Sequence, residues 1–286
     1  MAEVKYISWT GIKTYMECPY SYYERYILRR VVPDQDQSSF LKGNALHHLL
    51  EEFYLEKAED FNWIVEHAPT FWSREVTSVL EHPQQIITWS ATEVEKHRQI
   101  YLGWAFNLAK ILKRHNITPD RVQPEFKADS YITLGQHRLK LAGRIDMLVK
   151  GKNGYMILDL KSSKNASIVV PDQILTYALL TDIFLGDQLD SPVSHGGFLL
   201  PGFPEGKQVQ IFETTQAAKE NLKVRITEVL DNIKAERFEP RENKACWWCP
   251  AKKLHCPLFG GALGQEAGIV TLGGSVASTN DVSGLL

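Results

Sequence analysis

The 286-residue chain is 44% hydrophobic and 23% charged, with a formal net charge of −2 at pH 7, a balance that excludes extensive disorder and any general basic field for polyanions. It contains no run of eighteen apolar residues, and MAEVKYISWTGIK lacks the apolar core of a secretory signal, so a cytoplasmic protein without membrane spans is expected. The four cysteines therefore read as metal ligands before they read as disulfides.

Ser8 is placed to cap a first helix carrying Ile12, Tyr15 and Met16, which Cys18-Pro19 interrupts before the aromatic run Tyr20, Tyr22, Tyr23 and Tyr26 resumes it. Arg29 with Arg30, and Lys252 with Lys253, are the local basic clusters. A polar loop from Pro33 to Ser39 leads to GNALHHLLEEFYLEKA, a helix beginning at Gly43. On it, His47 shares a face with Glu51, and His48 with Glu52. From about Ala68 to Asn116 the chain reads as mostly helical. Its longest candidate, Ala91 to His115, carries Ile100, Trp104, Leu108, Ile111 and Leu112 at helical spacing, suited to covering a sheet. Pro119 and Pro124 end that character, and Glu125 opens the alternating strand EFKADSYITL. Glu125 is either a third carboxylate of a site or a strand-edge charge.

The most informative stretch is GRIDMLVKGKNGYMILDLKSSK, from Gly143 to Lys164. Lys152, Asn153 and Gly154 make a hairpin turn, and side-chain alternation puts Asp159 and Lys161 on one face of the second strand. With Lys150 opposite Tyr155, Asp146 falls opposite Asp159. With Lys152 opposite Tyr155, it falls opposite Lys161. In both registers the three charges share a face of a hairpin whose other residues, Met147, Leu148, Val149, Met156, Ile157, Leu158 and Leu160, are apolar, as in a covered central sheet. Facing carboxylates repel unless a cation lies between them, which outlines a site for Mg²⁺ or Mn²⁺. Such an ion lowers the pKa of bound water and neutralises phosphate charge, while Lys161 can orient the water or stabilise developing negative charge.

After Lys164, PDQILTYALLTDIFLG reads as a helix with Pro171 in its first turn, Gly186 at its exit, and Gln173 and Tyr177 on one face. Strands near Gly197–Leu200 and Gln208–Phe212 and a helix from about Gln216 to Ala235 complete the regular structure. Cys246, Cys249 and Cys256, with prolines after two of them, need a fourth ligand, and Cys18 is the remaining cysteine. Such a site would join the two ends of the chain around either Zn²⁺ or an iron-sulfur cluster. From Gly260 onward the Gly/Ser/Ala-rich sequence reads as a flexible tail.

These motifs, in this order, resemble the RecB-like branch of the PD-(D/E)XK nucleases, especially the iron-sulfur exonucleases related to CRISPR-associated and AddB-type enzymes. The resemblance rests on SWTGIKTYMECPYSYYERYIL, the G-x3-H element from Gly43 to His47, GRID ending at Asp146, DLKSSK, QILTY and FEPRENKACWWCPAKKLHCP, spanning residues 6 to 258. It implies an α/β restriction-endonuclease-like fold, with a central mixed sheet flanked by helices, over residues 1–258, followed by a tail over 259–286. It further implies metal ligation by His47, Asp146, Asp159 and the Leu160 carbonyl, with Lys161 catalytic and Gln173 and Tyr177 supporting it and touching DNA. A [4Fe-4S] cluster on Cys18, Cys246, Cys249 and Cys256 is implied as well. The chain departs from the family in having six residues between its last two cysteines, where five are common, and His48 where a small residue is usual.

The function expected is metal-dependent DNA exonuclease activity on single strands or free ends, in recombination, repair or phage DNA processing. The alternatives are a noncatalytic DNA-binding or assembly subunit and a restriction-type endonuclease. With no helicase motif in the chain, unwinding would fall to a helicase or recombination partner.

Overall fold

A computed structural model describes residues 4–30, 35–152, 154–165, 169–247, 249, 251 and 256–259. Asn153 of the turn, Pro33 of the loop, the Lys252/Lys253 pair and residues 260–286, expected as a tail, lie outside the described residues.

One mixed sheet organises the chain. Its strands are β1 (Tyr6–Ser8), β2 (Val122–Leu134), β3 (His137–Gly151), β4 (Gly154–Leu160), β5 (Val193–Leu199) and β6 (Val209–Glu213). The long strand β3 pairs antiparallel with β2 along one edge. Along its other edge it meets first β1, in parallel, and then β4, antiparallel. The sheet continues through β5, parallel to β4, to β6.

Helices α1 (Trp9–Glu17), α2 (Pro19–Tyr22), α3 (Leu41–Leu55), α4 (Asn62–Glu81), α5 (Ala91–Arg114), α6 (Pro171–Leu185) and α7 (Gln216–Lys234) surround the sheet. Their ends follow local chemistry. Ser8 accepts a hydrogen bond from Gly11 N at the start of α1, and Ser90 forms a reciprocal capping box with Glu93 at the start of α5. Pro171 occupies the first turn of α6, where its missing N–H costs nothing.

Two apolar clusters sandwich the sheet. One joins α3, α4 and α5 to Met147, Val149, Leu158, Leu160 and Leu199. The other joins α6 and α7 to Ala128, Ile132, Leu139, Leu141, Ile145 and Ile157. Burying Leu41, Leu46, Leu49 and Phe53 completely, at roughly 1.5–3 kcal/mol per side chain, locks α3 across the sheet. Gly196 allows α6 equally close approach, because a Cβ there would sit 2.0 Å from Ile174 Cγ2.

Several boundaries differ from the sequence expectation. β1 was not anticipated. β2 begins at Val122 rather than Glu125, since among the described strands β2 pairs only with β3 and Pro124 needs no ladder partner on its free side. α4 begins at Asn62, ahead of Ala68, with the Asp60 carboxylate accepting the Asn62 N–H at 2.9 Å and Pro69 accommodated inside the helix. β5 begins at Val193, four residues before Gly197. No helix among the described residues is long and apolar enough to cross a membrane.

Candidate active site

The site lies where β3 and β4 part. Their ladder pairs Gly151 with Gly154 and Lys150 with Tyr155, and runs to Met147 opposite Leu158. Of the two registers considered, the first is formed, and it carries Asp146 to the position opposite Asp159. There a side chain replaces the ladder: Asp146 Oδ2 accepts the Leu160 N–H at 2.7 Å. The next amide, Lys161 N–H, donates to Leu199 O of β5 at 2.9 Å. Because a trans peptide points its C=O and N–H to opposite sides, the Leu160 carbonyl is directed to the β3 side, toward Asp146.

Three further elements converge on this fork. From α3, His47 Nδ1 comes within 3.5 Å of Asp146 Oδ1. From β2, Glu125 joins them, so that one ligand atom from each of His47, Glu125 and Asp146 lies within 4.8 Å of the others, the one such group among the described residues. From α6, Gln173 Nε2 donates to Asp159 Oδ1 at 3.0 Å and to the Tyr177 hydroxyl at 3.1 Å. Lys161 Nζ lies 2.7 Å from Asp159 Oδ2. That oxygen is buried and has no aligned hydrogen bond, leaving a carboxylate lone pair that a cation would satisfy.

His48 belongs elsewhere. Its Nδ1 is 3.3 Å from Glu75 Oε2 of α4, and Glu75 also accepts Asn44 Nδ2 at 2.8 Å. The spacing of Gly43 and His47 has a physical basis too: a Cβ on Gly43 would lie 2.9 Å from Ser162 Oγ, so glycine leaves that hydroxyl its place where α3 meets the segment after Lys161.

The electrostatics divide the two aspartates. Burial, then the Asp146 charge, pushes Asp159 up to about 6 against the pull of Lys161. Burial also acts to raise Asp146, but His47 and the Leu160 N–H outweigh it and hold the group below the ordinary aspartate value. Burial acts to lower His47, and Asp146 overrides it, so His47 holds its proton more tightly than usual. The result is a buried pair in which one carboxylate ionises readily and the other resists, the pattern produced by like charges at close range.

Arg144 is a residue the sequence reading missed. It ion-pairs with Glu125, which raises its pKa, and its place two residues before Asp146 in the same strand was the available signal.

All four cysteines carry free thiols and border one cavity of about 190 Å³; among the described residues no three of their sulfurs lie within 4.8 Å of one another. The ends of the chain meet through other contacts. Arg241 N–H donates to Cys18 Sγ at 3.4 Å, Asn243 Nδ2 to Glu17 O at 2.8 Å, and the Tyr15 hydroxyl to Arg237 O at 2.6 Å. Burial, followed by the neighbouring cysteines among its causes, raises the Cys256 thiol.

The model of the PD-(D/E)XK nuclease superfamily matches residues 6–257, and the chain belongs to that superfamily. Its mixed sheet between helical layers is accordingly restriction-endonuclease-like. No curated protein sequence matches the chain. Among solved structures it is similar to one titled "Crystal structure of SSO0001", at 16% identity over 81% of this chain and 98% of that one, with a TM-score of 0.33.

Proposed function

We propose that this chain is a divalent-metal-dependent deoxyribonuclease of the RecB-like branch that degrades DNA from free ends, within recombination, repair or phage DNA processing and beside a helicase partner. The observation that carries the reading is the convergence of His47, Glu125, Asp146, Asp159 and Lys161 at the β3/β4 fork. PD-(D/E)XK nucleases use divalent metals, and His47, Asp146, Asp159, the Leu160 carbonyl and Glu125 would hold Mg²⁺ or Mn²⁺ here. When bound, the ion supplies Lewis-acid neutralisation of the phosphate and an acidified water.

The protein groups divide the remaining work. Gln173 fixes Asp159 through Oδ1, leaving Oδ2 for the cation and Lys161. The Lys161 ammonium, placed by its Asp159 contact, orients the attacking water and stabilises the charge that grows on phosphate. Contacts to phosphate position a strand without reading its sequence, which suits an end-directed enzyme.

Cys18, Cys246, Cys249 and Cys256 would hold a [4Fe-4S] cluster in residues 1–258, read as one domain. In support, four thiols border one cavity, with Cys256 feeling the others. Tetrahedral Zn²⁺ with bonds of about 2.3 Å would need sulfurs roughly 3.8 Å apart, closer than this arrangement brings any three.

The test is incubation of purified protein with end-labelled single- and double-stranded DNA, and with closed circles, in Mg²⁺, Mn²⁺ or chelator. Metal-dependent loss of nucleotides from ends, abolished in Lys161→Ala, is expected. Binding without cleavage would favour a noncatalytic subunit, and cutting of closed circles at fixed sites an endonuclease.

A further inference from the structure

We propose that the outer face of β1, β2 and β3 is a track along which a single DNA strand runs into the fork. This deepens the nuclease reading and rests on it. The ladder register defines the face. Lys127 is directly opposite Arg144, Asp129 opposite Ala142, and Tyr131 opposite Lys140, while Tyr6 and Ser8 of β1 pair with Lys140 and Ala142. These positions alternate with Ala128, Ile132, Leu139 and Leu141, which are buried against α6 and α7, so they occupy the opposite, open side.

The composition of that side is not that of an ordinary solvated sheet. Lys127 and Arg144 are like charges directly across an antiparallel ladder, an arrangement that destabilises a sheet unless an anion answers it. Glu125 answers Arg144. Among the described residues Lys127 has no hydrogen-bond or ion-pair partner, and it is exposed. Further along the face, Tyr131 and Tyr6 are 66% and 59% exposed, and Arg138 and Lys140 lie 5.6 Å and 5.9 Å from the Tyr131 ring centroid. Lys127, Arg138, Lys140 and Arg144 outnumber Glu125 and Asp129 here, in a chain whose net charge is −2.

Basic side chains interleaved with exposed aromatic rings are what single strands bind, phosphates to the cations and bases to the ring faces. Between the tyrosine row and the fork lies a groove of about 360 Å³ bordered by Tyr6, Ser8, Lys127, Asp129, Ala142 and Arg144. Continuity completes the argument. Arg144 ion-pairs with Glu125, whose carboxylate lies beside Asp146, and from Asp146 to Lys140 the strand extends about 20 Å at about 3.4 Å per residue. That length accommodates about six stacked nucleotides, or fewer when extended. A strand held at Tyr131 and Lys127 therefore has its next phosphates at Arg144 and the fork.

The test measures binding of a fluorescent oligothymidylate of about twelve nucleotides in chelator, so that no turnover occurs. Lys127→Ala and Tyr131→Ala should each weaken binding about 10-fold, and Lys127→Ala should lower the salt slope by about 0.7. Lys127→Arg should restore both. As a measurement that needs no variant, wild-type protein photocrosslinked to a bromodeoxyuridine strand should yield adducts on the peptides carrying Tyr6 and Tyr131. Wild-type affinity in both folded alanine variants, adducts only elsewhere, or tighter binding of blunt duplex than of single strand would each overturn the track. If wild type binds strands along this face but cuts no DNA with Mg²⁺ or Mn²⁺, the nuclease reading fails and the track stands. If it cuts DNA while the variants bind normally, the reverse holds.

Discussion

Replacing Asp159 by asparagine should abolish cleavage and stabilise the metal-free protein. Asp159 is raised to about 6 by burial and by Asp146, roughly two units above an ordinary aspartate, so ionising it costs the folded state about 3 kcal/mol at pH 7.5. The neutral amide resembles the protonated acid and avoids that cost. Part of the gain is lost because the Asn NH₂ group would face Lys161 Nζ, leaving about 2 kcal/mol, or about 3 °C in Tm for a chain of this size. The sign follows from linkage: a carboxylate whose folded pKa is raised costs wild type stability progressively as pH rises from about 4 to about 6. The advantage of Asp159→Asn should therefore be full at pH 7.5 and shrink several-fold by pH 4. Thermal melts in chelator at both pH values, with cleavage measured separately, check this. A variant no more stable than wild type at pH 7.5, or one with the same gain at both pH values, would refute the repulsion argument.

Other perturbations separate the neighbouring groups. His47→Ala should weaken Mn²⁺ binding, read by calorimetry, more than about 10-fold, whereas His48→Ala, which loses only the half-exposed Glu75 contact, should change it little. Gly43→Ala should cut cleavage by pushing its new Cβ against Ser162 Oγ. The double variant with Ser162→Ala should recover most of that rate, and non-recovery would mean the effect lies in α3 itself. Cys18→Ser, prepared without oxygen, should lose brown colour and about four irons per chain; colourless wild-type protein would reject the cluster.

How much of this was legible in the sequence depended on whether the relevant contact was local. The β3/β4 hairpin was readable because Asn-Gly and an apolar run announce it within a few residues, and α5 because Ile100, Trp104, Leu108, Ile111 and Leu112 recur at helical spacing. The hairpin register remained ambiguous, since both pairings put the charges on one face and only the three-dimensional ladder chooses Lys150 opposite Tyr155. Glu125 was undecidable for the same reason. Its proximity to Asp146 comes from Pro124 pairing with Met147, and a proline in an edge strand looks from sequence like the end of one. β1 left no readable trace because it has three residues and a parallel partner more than a hundred positions away. Around the cysteines, the contacts between the chain ends are equally non-local. Arg241, Asn243 and the stacking of Tyr23 on Phe238 at 4.7 Å join them without any thiol bonding to another.

The fork is the place in this fold where local stability and architecture conflict. A strand pair as apolar as β3 and β4 would be more stable continued through positions 146 and 159 with hydrophobic residues. Instead two carboxylates sit there, and the donors supplied to them fall short. Asp146 receives His47 and the Leu160 N–H, and Asp159 receives Gln173 on one oxygen and only the Lys161 ion-pair contact on the other. A site built for structure alone would close that deficit with one more hydrogen bond, because an unsatisfied buried carboxylate oxygen costs of the order of a few kcal/mol. An excess of negative charge left at one atom, beside a lysine and at the end of an open basic face, is instead relieved by a ligand that is itself a cation. The strain therefore argues for metal binding independently of any motif, and it predicts that the ion and the folded state stabilise each other.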